Sequence, residues 1–122
     1  MPKTKVKITT KSNNITDTYE IKALLKDNKL MYYEPNKTKV IFDYENNILT
    51  RNNKEISMEY KFDLENKTIG YIEVKELGKS LNLNIKTKQF LSDNKNIDLV
   101  FFVEEEEICY KLEVLEWVLL KQ

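Results

Sequence analysis

From Ile56 to Leu64 the chain alternates without a break. Ile56, Met58, Tyr60, Phe62 and Leu64 are apolar; Ser57, Glu59, Lys61 and Asp63 between them are polar. A period of two sends the two sets to opposite faces of an extended strand. This is therefore a strand with one dry face and one wet face. The same rhythm runs through Val6, Ile8 and Thr10, through Tyr19, Ile21, Ala23 and Leu25, and through Val40, Phe42 and Tyr44. It returns at Leu81, Leu83 and Ile85, at Ile97, Leu99, Phe101 and Val103, and at Ile108, Tyr110, Leu112 and Val114. After Val114 the phase moves to Leu115, Trp117 and Leu119, which calls for a bulge or a short terminal helical turn. Almost nothing reads as helix.

Turn signals separate these stretches. Asp27-Asn28, Asn46-Asn47, Asn52-Asn53 and Asp93-Asn94 pair residues that tolerate positive φ, and Pro35-Asn36 puts proline at its favoured turn position. Asn66-Lys67, Gly78-Lys79 and Glu105-Glu106 complete the set, and Gly70 inside a strand marks a bulge or a sharp bend. Nine or ten strands on short connections make neighbouring pairs antiparallel. A meander of that length tends to close on itself, because closure removes both unpaired edges. The expected fold is all-β: one domain over residues 1–122, a single antiparallel up-and-down β-barrel of about 8–10 strands.

The composition narrows the function classes. Twenty basic residues balance twenty acidic ones. A neutral chain has no global field to draw in a polyanion, which makes nucleic acid an unfavoured partner. Cys109 is the only cysteine, so no intrachain disulfide forms. The N-terminal Met1-Pro2-Lys3-Thr4-Lys5 carries no apolar signal core. The longest apolar run, Leu99–Val103, falls far short of the roughly 18 residues of a membrane helix. These features lead to the expectation of a cytoplasmic protein without a membrane partner. The abundance of Lys, Asn and Ile points to an AT-rich bacterial genome.

Arg51, Met58, Phe62, Tyr71, Gly78, Leu81, Leu83 and Thr87, together with the hairpin segment from Asn28 to Glu34, resemble the YwiB-like family. These are small bacterial proteins of unknown function with a calycin-like, or lipocalin-like, barrel. The family's Arg-x-Gly turn reads Arg51-Asn52-Asn53 here, with Asn53 in the glycine place, where asparagine is the best other choice for positive φ. The resemblance covers most of the chain. It implies the barrel and a cytosolic bacterial setting, and no reaction.

The chemistry-bearing residues are few. The chain has no histidine, and one cysteine makes a thiolate zinc site impossible within it, so no metal or cofactor is expected. Glu104–Glu107 reads as a solvated hairpin tip, because strand alternation splays neighbouring carboxylates. Arg51 is the only arginine, and the other basic residues are lysines. Its planar fork suits an anion clamp or, more plainly, an internal salt bridge beside a turn. Tyr32, Tyr33, Tyr44, Tyr60 and Tyr71 are aromatic faces for a flat ligand, or ordinary cross-strand pairs. Lys3, Lys5, Lys7 and Lys11 form a basic stripe for nucleic acid or the guard of an edge strand.

With one alanine and two glycines, the barrel should be largely filled, leaving a shallow pocket at one mouth. Arg51, Tyr60 and Thr87 are the candidate binding residues. The expected function is a non-enzymatic barrel binding a small molecule at its mouth or a protein partner. The alternatives are an enzyme with a carboxylate–tyrosine acid–base pair at the mouth, and a nucleic-acid-binding barrel.

Overall fold

The computed structural model describes residues 3–118. Ten strands follow one another: β1 (Lys3–Ser12), β2 (Ile15–Lys26), β3 (Lys29–Tyr33), β4 (Lys39–Asp43), β5 (Ile48–Asn52), β6 (Ile56–Lys61), β7 (Thr68–Val74), β8 (Lys79–Asp93), β9 (Asn96–Val103) and β10 (Glu106–Val118). A single 3-10 turn, Lys75–Leu77, joins β7 to β8. Each strand pairs antiparallel with its sequence neighbours, and β1 pairs with β10, so the sheet is a closed up-and-down barrel. The lysine-bearing β1 is therefore flanked on both sides and is not an edge.

The turns are made largely by asparagine. Asn13-Asn14 and Asp27-Asn28 hold both central residues at positive φ, the geometry of the tightest hairpins. The β8–β9 hairpin turns on Asn94-Lys95, one residue later than expected, and β9–β10 turns on Glu104-Glu105. Asn53 differs from expectation. It is not in the left-handed region. Its side-chain oxygen instead accepts the backbone N–H groups of Glu55 (2.8 Å) and Ile56 (2.9 Å), so the turn is closed by a side chain rather than by an unusual φ.

The expected phase shift near the C-terminus is a bulge. Lys5 faces Glu116 while Val6 faces Val114, which leaves Leu115 as the extra residue, exposed, and brings position 117 opposite the buried Thr4. Leu119 and the side chain of Trp117 lie outside the described residues. A second bulge, with Lys88 as its extra residue, lets the long β8 bend between its partners.

Inside the barrel the inward positions interlock. Val6, Ile8, Leu30, Phe42, Ile85, Ile97, Leu99 and Leu112 are fully buried. One end is plugged by aromatics. Phe62 packs against Phe101 (ring centroids 4.8 Å apart) and Phe90 (6.5 Å), and Phe42 against Tyr44 (5.2 Å) and Phe90 (6.2 Å). Tyr44 seals this end by donating its hydroxyl to the Lys95 carbonyl at 2.8 Å.

Not every dry-face residue is buried. Tyr60 and Phe62 are, and Met58 is half-buried, but Ile56 is 40% and Leu64 56% exposed. Leu81 is 57% exposed although Leu83 and Ile85 after it sink progressively into the core. Ile56 and Leu81 stand near the strand ends, past the packed interior, whereas β6 ends at Lys61 and Leu64 lies in the bend beyond it, where alternation no longer sets the face.

Gly70 is not a bulge, since β7 runs in continuous register through it. A β-carbon there would lie 2.6 Å from Cδ1 and 2.9 Å from Cε1 of Tyr60. The glycine is the space the Tyr60 ring occupies. Gly70→Ala is expected to lower stability by about 1–3 kcal/mol, through overpacking against a held ring. A smaller loss in a Tyr60→Leu background, read from urea midpoints, would confirm the clash as its cause.

Asp43, buried at the end of β4, closes the β4–β5 turn. Its Oδ1 accepts the N–H of Glu45 (3.0 Å) and Asn46 (3.2 Å), and its Oδ2 accepts the Asn46 amide (2.9 Å). These bonds, the Asn46 side chain first, outweigh desolvation and hold the carboxyl below its ordinary value. A depressed folded value adds stability that is complete above the unfolded value and fades as pH falls through the folded one. Asp43→Ala is expected to cost about 1–2 kcal/mol at pH 7 and to flatten the loss of stability below about pH 4, as followed by denaturation at several pH values.

Candidate functional site

In an up-and-down barrel alternate turns share one end. The turns after β1, β3, β5, β7 and β9 ring the mouth opposite the aromatic plug. Here the interior is not filled. A cavity of about 690 Å³ opens between β1, β2, β3, β4, β5, β6, β9 and β10. Val40, Leu49, Met58, Phe101 and Ile108 give it apolar wall, and Tyr19, Tyr32, Glu34, Arg51, Tyr60 and Tyr110 set polar groups among them. It is larger than the shallow pocket expected from bulky inward residues.

Register explains how a charged pair comes to sit inside. Tyr32 faces Val40, Val40 faces Arg51, Arg51 faces Met58, Met58 faces Ile72 and Ile72 faces Leu81. Directly opposed residues share a face. Arg51 therefore belongs to the inward row, in step with Leu49, and Glu34 is in step with Leu30 and Tyr32 on β3. Arg51 Nη2 and Glu34 Oε1 are 2.5 Å apart, and the Glu34 side chain is only 14% exposed. The other oxygen, Oε2, accepts the Tyr19 hydroxyl at 3.1 Å. Deeper in, the Tyr32 and Tyr110 hydroxyls meet at 2.8 Å, one donating to the other. Arg51 Nε is buried and has no hydrogen-bond partner among the described residues.

Burial raises the pKa of each phenol. It is the largest cause for Tyr19, Tyr32, Tyr60 and Tyr110, and the Glu34 carboxylate pushes Tyr19 further. At neutral pH these tyrosines are hydroxyl groups, not phenolates. They donate and accept hydrogen bonds without carrying charge. A raised folded value adds stability that is complete below the unfolded value and is lost as pH rises past it. Stability is thus expected to fall above about pH 10. Phenolate absorbance from Tyr19, Tyr32, Tyr44, Tyr60 and Tyr110 should emerge only with unfolding; smooth titration of all seven tyrosines in the folded protein would contradict this.

Of the three residues expected to bind, the fold brings Arg51 and Tyr60 together in the cavity wall. Thr87 is elsewhere. It is buried on β8 opposite Phe101, and its hydroxyl accepts the Asp63 N–H at 3.2 Å, tying the loop after β6 to the barrel. Glu34, Tyr19 and Tyr110 were not among the expected residues. The signal for Glu34 lay in the sequence: it falls two residues after Tyr32, on the dry phase.

The remaining candidates disperse. Glu104 accepts the Asn84 N–H at 2.5 Å, Glu106 accepts the Ser12 hydroxyl, and Glu107 pairs with Lys88 at 3.3 Å. Among the described residues no three potential metal ligands cluster. The β1 lysine stripe is interleaved with acids: Lys5 pairs with Glu20 at 3.3 Å, and Lys7 lies between Glu20 and Glu113. Tyr33 and Tyr71 are exposed on the outer face and do not belong to the cavity lining.

A closed ten-stranded antiparallel meander with an open mouth defines the class of this protein. Its structure is similar to that of the YwiB protein from Bacillus subtilis, with a TM-score of 0.59 and 20% identity over 94% of this chain and 92% of that one. The fold is thus YwiB-like. No family model matches the chain, and no curated protein does either.

Proposed function

We propose that this chain is a non-enzymatic binding barrel that takes a small molecule into its mouth cavity. The observation that carries the reading is the cavity itself: about 690 Å³, lined by apolar and polar side chains together, in a barrel whose other end is packed with aromatic rings. Ligand sites are typically about 300–1,000 Å³ with a few convergent polar groups. A calycin-like affiliation and a cytosolic setting belong to the same proposal. A small molecule is favoured over a protein partner because the polar groups point into a concavity rather than across a flat face.

An acid–base enzyme at the same mouth is the second reading, supported by the meeting of Tyr19 with Glu34. Two features weigh against it. The phenols are held protonated at neutral pH, and Glu34 is already engaged by both Arg51 and Tyr19.

Nile red, a neutral solvatochromic dye, tests the binding reading. Saturable one-to-one binding with a blue shift is expected, and Met58→Trp, which fills part of the cavity, should weaken it at least tenfold. Emission that rises without saturation, or that ignores the Met58→Trp change, would refute a cavity site.

A further inference from the structure

We infer that the cavity selects a molecule with an apolar body whose inner end presents an sp2 oxygen acceptor, a carbonyl or a single carboxylate. This rests on the cavity being a ligand site and names the ligand's chemistry. Three observations lead to it.

The first is an imbalance of hydrogen-bonding groups. Both Glu34 oxygens are engaged, by Arg51 and by Tyr19. Among the described residues Arg51 donates only to Glu34, and its side chain is 42% exposed, so its fork still has unused N–H groups at the cavity wall. Tyr60 lines the cavity and its hydroxyl has no hydrogen-bond partner among the described residues, whereas the Tyr32 and Tyr110 hydroxyls are engaged with each other and with Tyr19. The inner wall is rich in donors and short of acceptors, and an incoming acceptor is what satisfies it.

Charge is the second. The lining carries Arg51 against Glu34 and Asp17, a net charge of minus one. Such a wall repels a phosphate dianion most, a lone carboxylate less, the more so beside Arg51, and a neutral carbonyl not at all. A cation would match the net charge but would add donors where donors are already in surplus.

The lip of the mouth is the third. Ile56 and Leu81 lie on the inward phase at the strand ends, Ile15 pairs across from Ser12 in the lining, and Leu77 caps the 3-10 turn; all four are exposed. Single exposed aliphatics are ordinary, but these four lie at the end of the barrel where the cavity opens. They offer apolar surface beside the mouth for the body of a molecule whose oxygen reaches inward.

Three probes of equal chain length, octanoate, 2-octanone and octylammonium, decide the matter on the full chain. Nitrogen-15 NMR follows both the cavity amides and the guanidinium signals of Arg51, which need no sorting because it is the only arginine. The expected result is that at least one oxygen probe binds tenfold or more tightly than octylammonium and shifts the Arg51 signals. Tyr60→Phe, which keeps the ring, should weaken that probe about fivefold. The ratio of octanoate to 2-octanone then tells a carboxylate from a neutral carbonyl as the occupant. Equal or tighter binding of octylammonium overturns the inference, as does silence from all three probes. Saturable Nile red binding in either case would leave the cavity itself standing as a binding site.

Discussion

The number of strands sets the radius of a barrel, and the radius sets how much side chain its interior must hold. Ten strands enclose more room than this chain fills evenly. The bulk is concentrated instead. Phe42, Phe62, Phe90 and Phe101 crowd one end, and the other is left to Val40, Leu49, Met58 and a ring of tyrosines. Everything distinctive about the molecule descends from that uneven filling. The packed end supplies the burial that holds the fold together, and the open end tolerates Arg51 and Glu34 on an inward face because they pair with each other and remain in reach of water.

Much of this was legible before any coordinates. The alternation from Ile56 to Leu64 and its repeats identified the strands, and the asparagine pairs marked most turns. Alternation carries phase, however, and says nothing of height along the barrel axis. That is why Ile56 and Leu81 share the dry phase with Tyr60 and Ile85 and still meet solvent, while Leu64 falls beyond the end of β6. Gly70 was read from its backbone freedom, whereas its role is to be small beneath the Tyr60 ring, a fact of two strands that no single segment records.

The site shows the same division. Arg51 stood out because it is alone of its kind, and an internal ion pair was one reading of it. Its partner, Glu34, sits seventeen residues earlier in the chain, so the pairing depends on β3, β4 and β5 coming into register. Tyr110 meets Tyr32 only because closure brings the last strand round to the first. Thr87 matched a family pattern, and its buried hydroxyl serves a loop rather than the mouth. Local pattern found the polar residues that lie on apolar phases, and topology decided which of them face one another.

The closure seam has a kinetic consequence. Nine of the ten ladders join strands adjacent in sequence, and each can zip from its own turn. The tenth joins β1 to β10, with Ser12 opposite Ile108 and Lys3 opposite Val118, and it needs the two ends of the chain to find each other. Its loop-closure entropy falls due before its hydrogen bonds form, so the seam is the natural late event of folding and the natural first breach in unfolding. Tyr110 lies on that seam, so a breach there opens the cavity from its side as well as from its mouth.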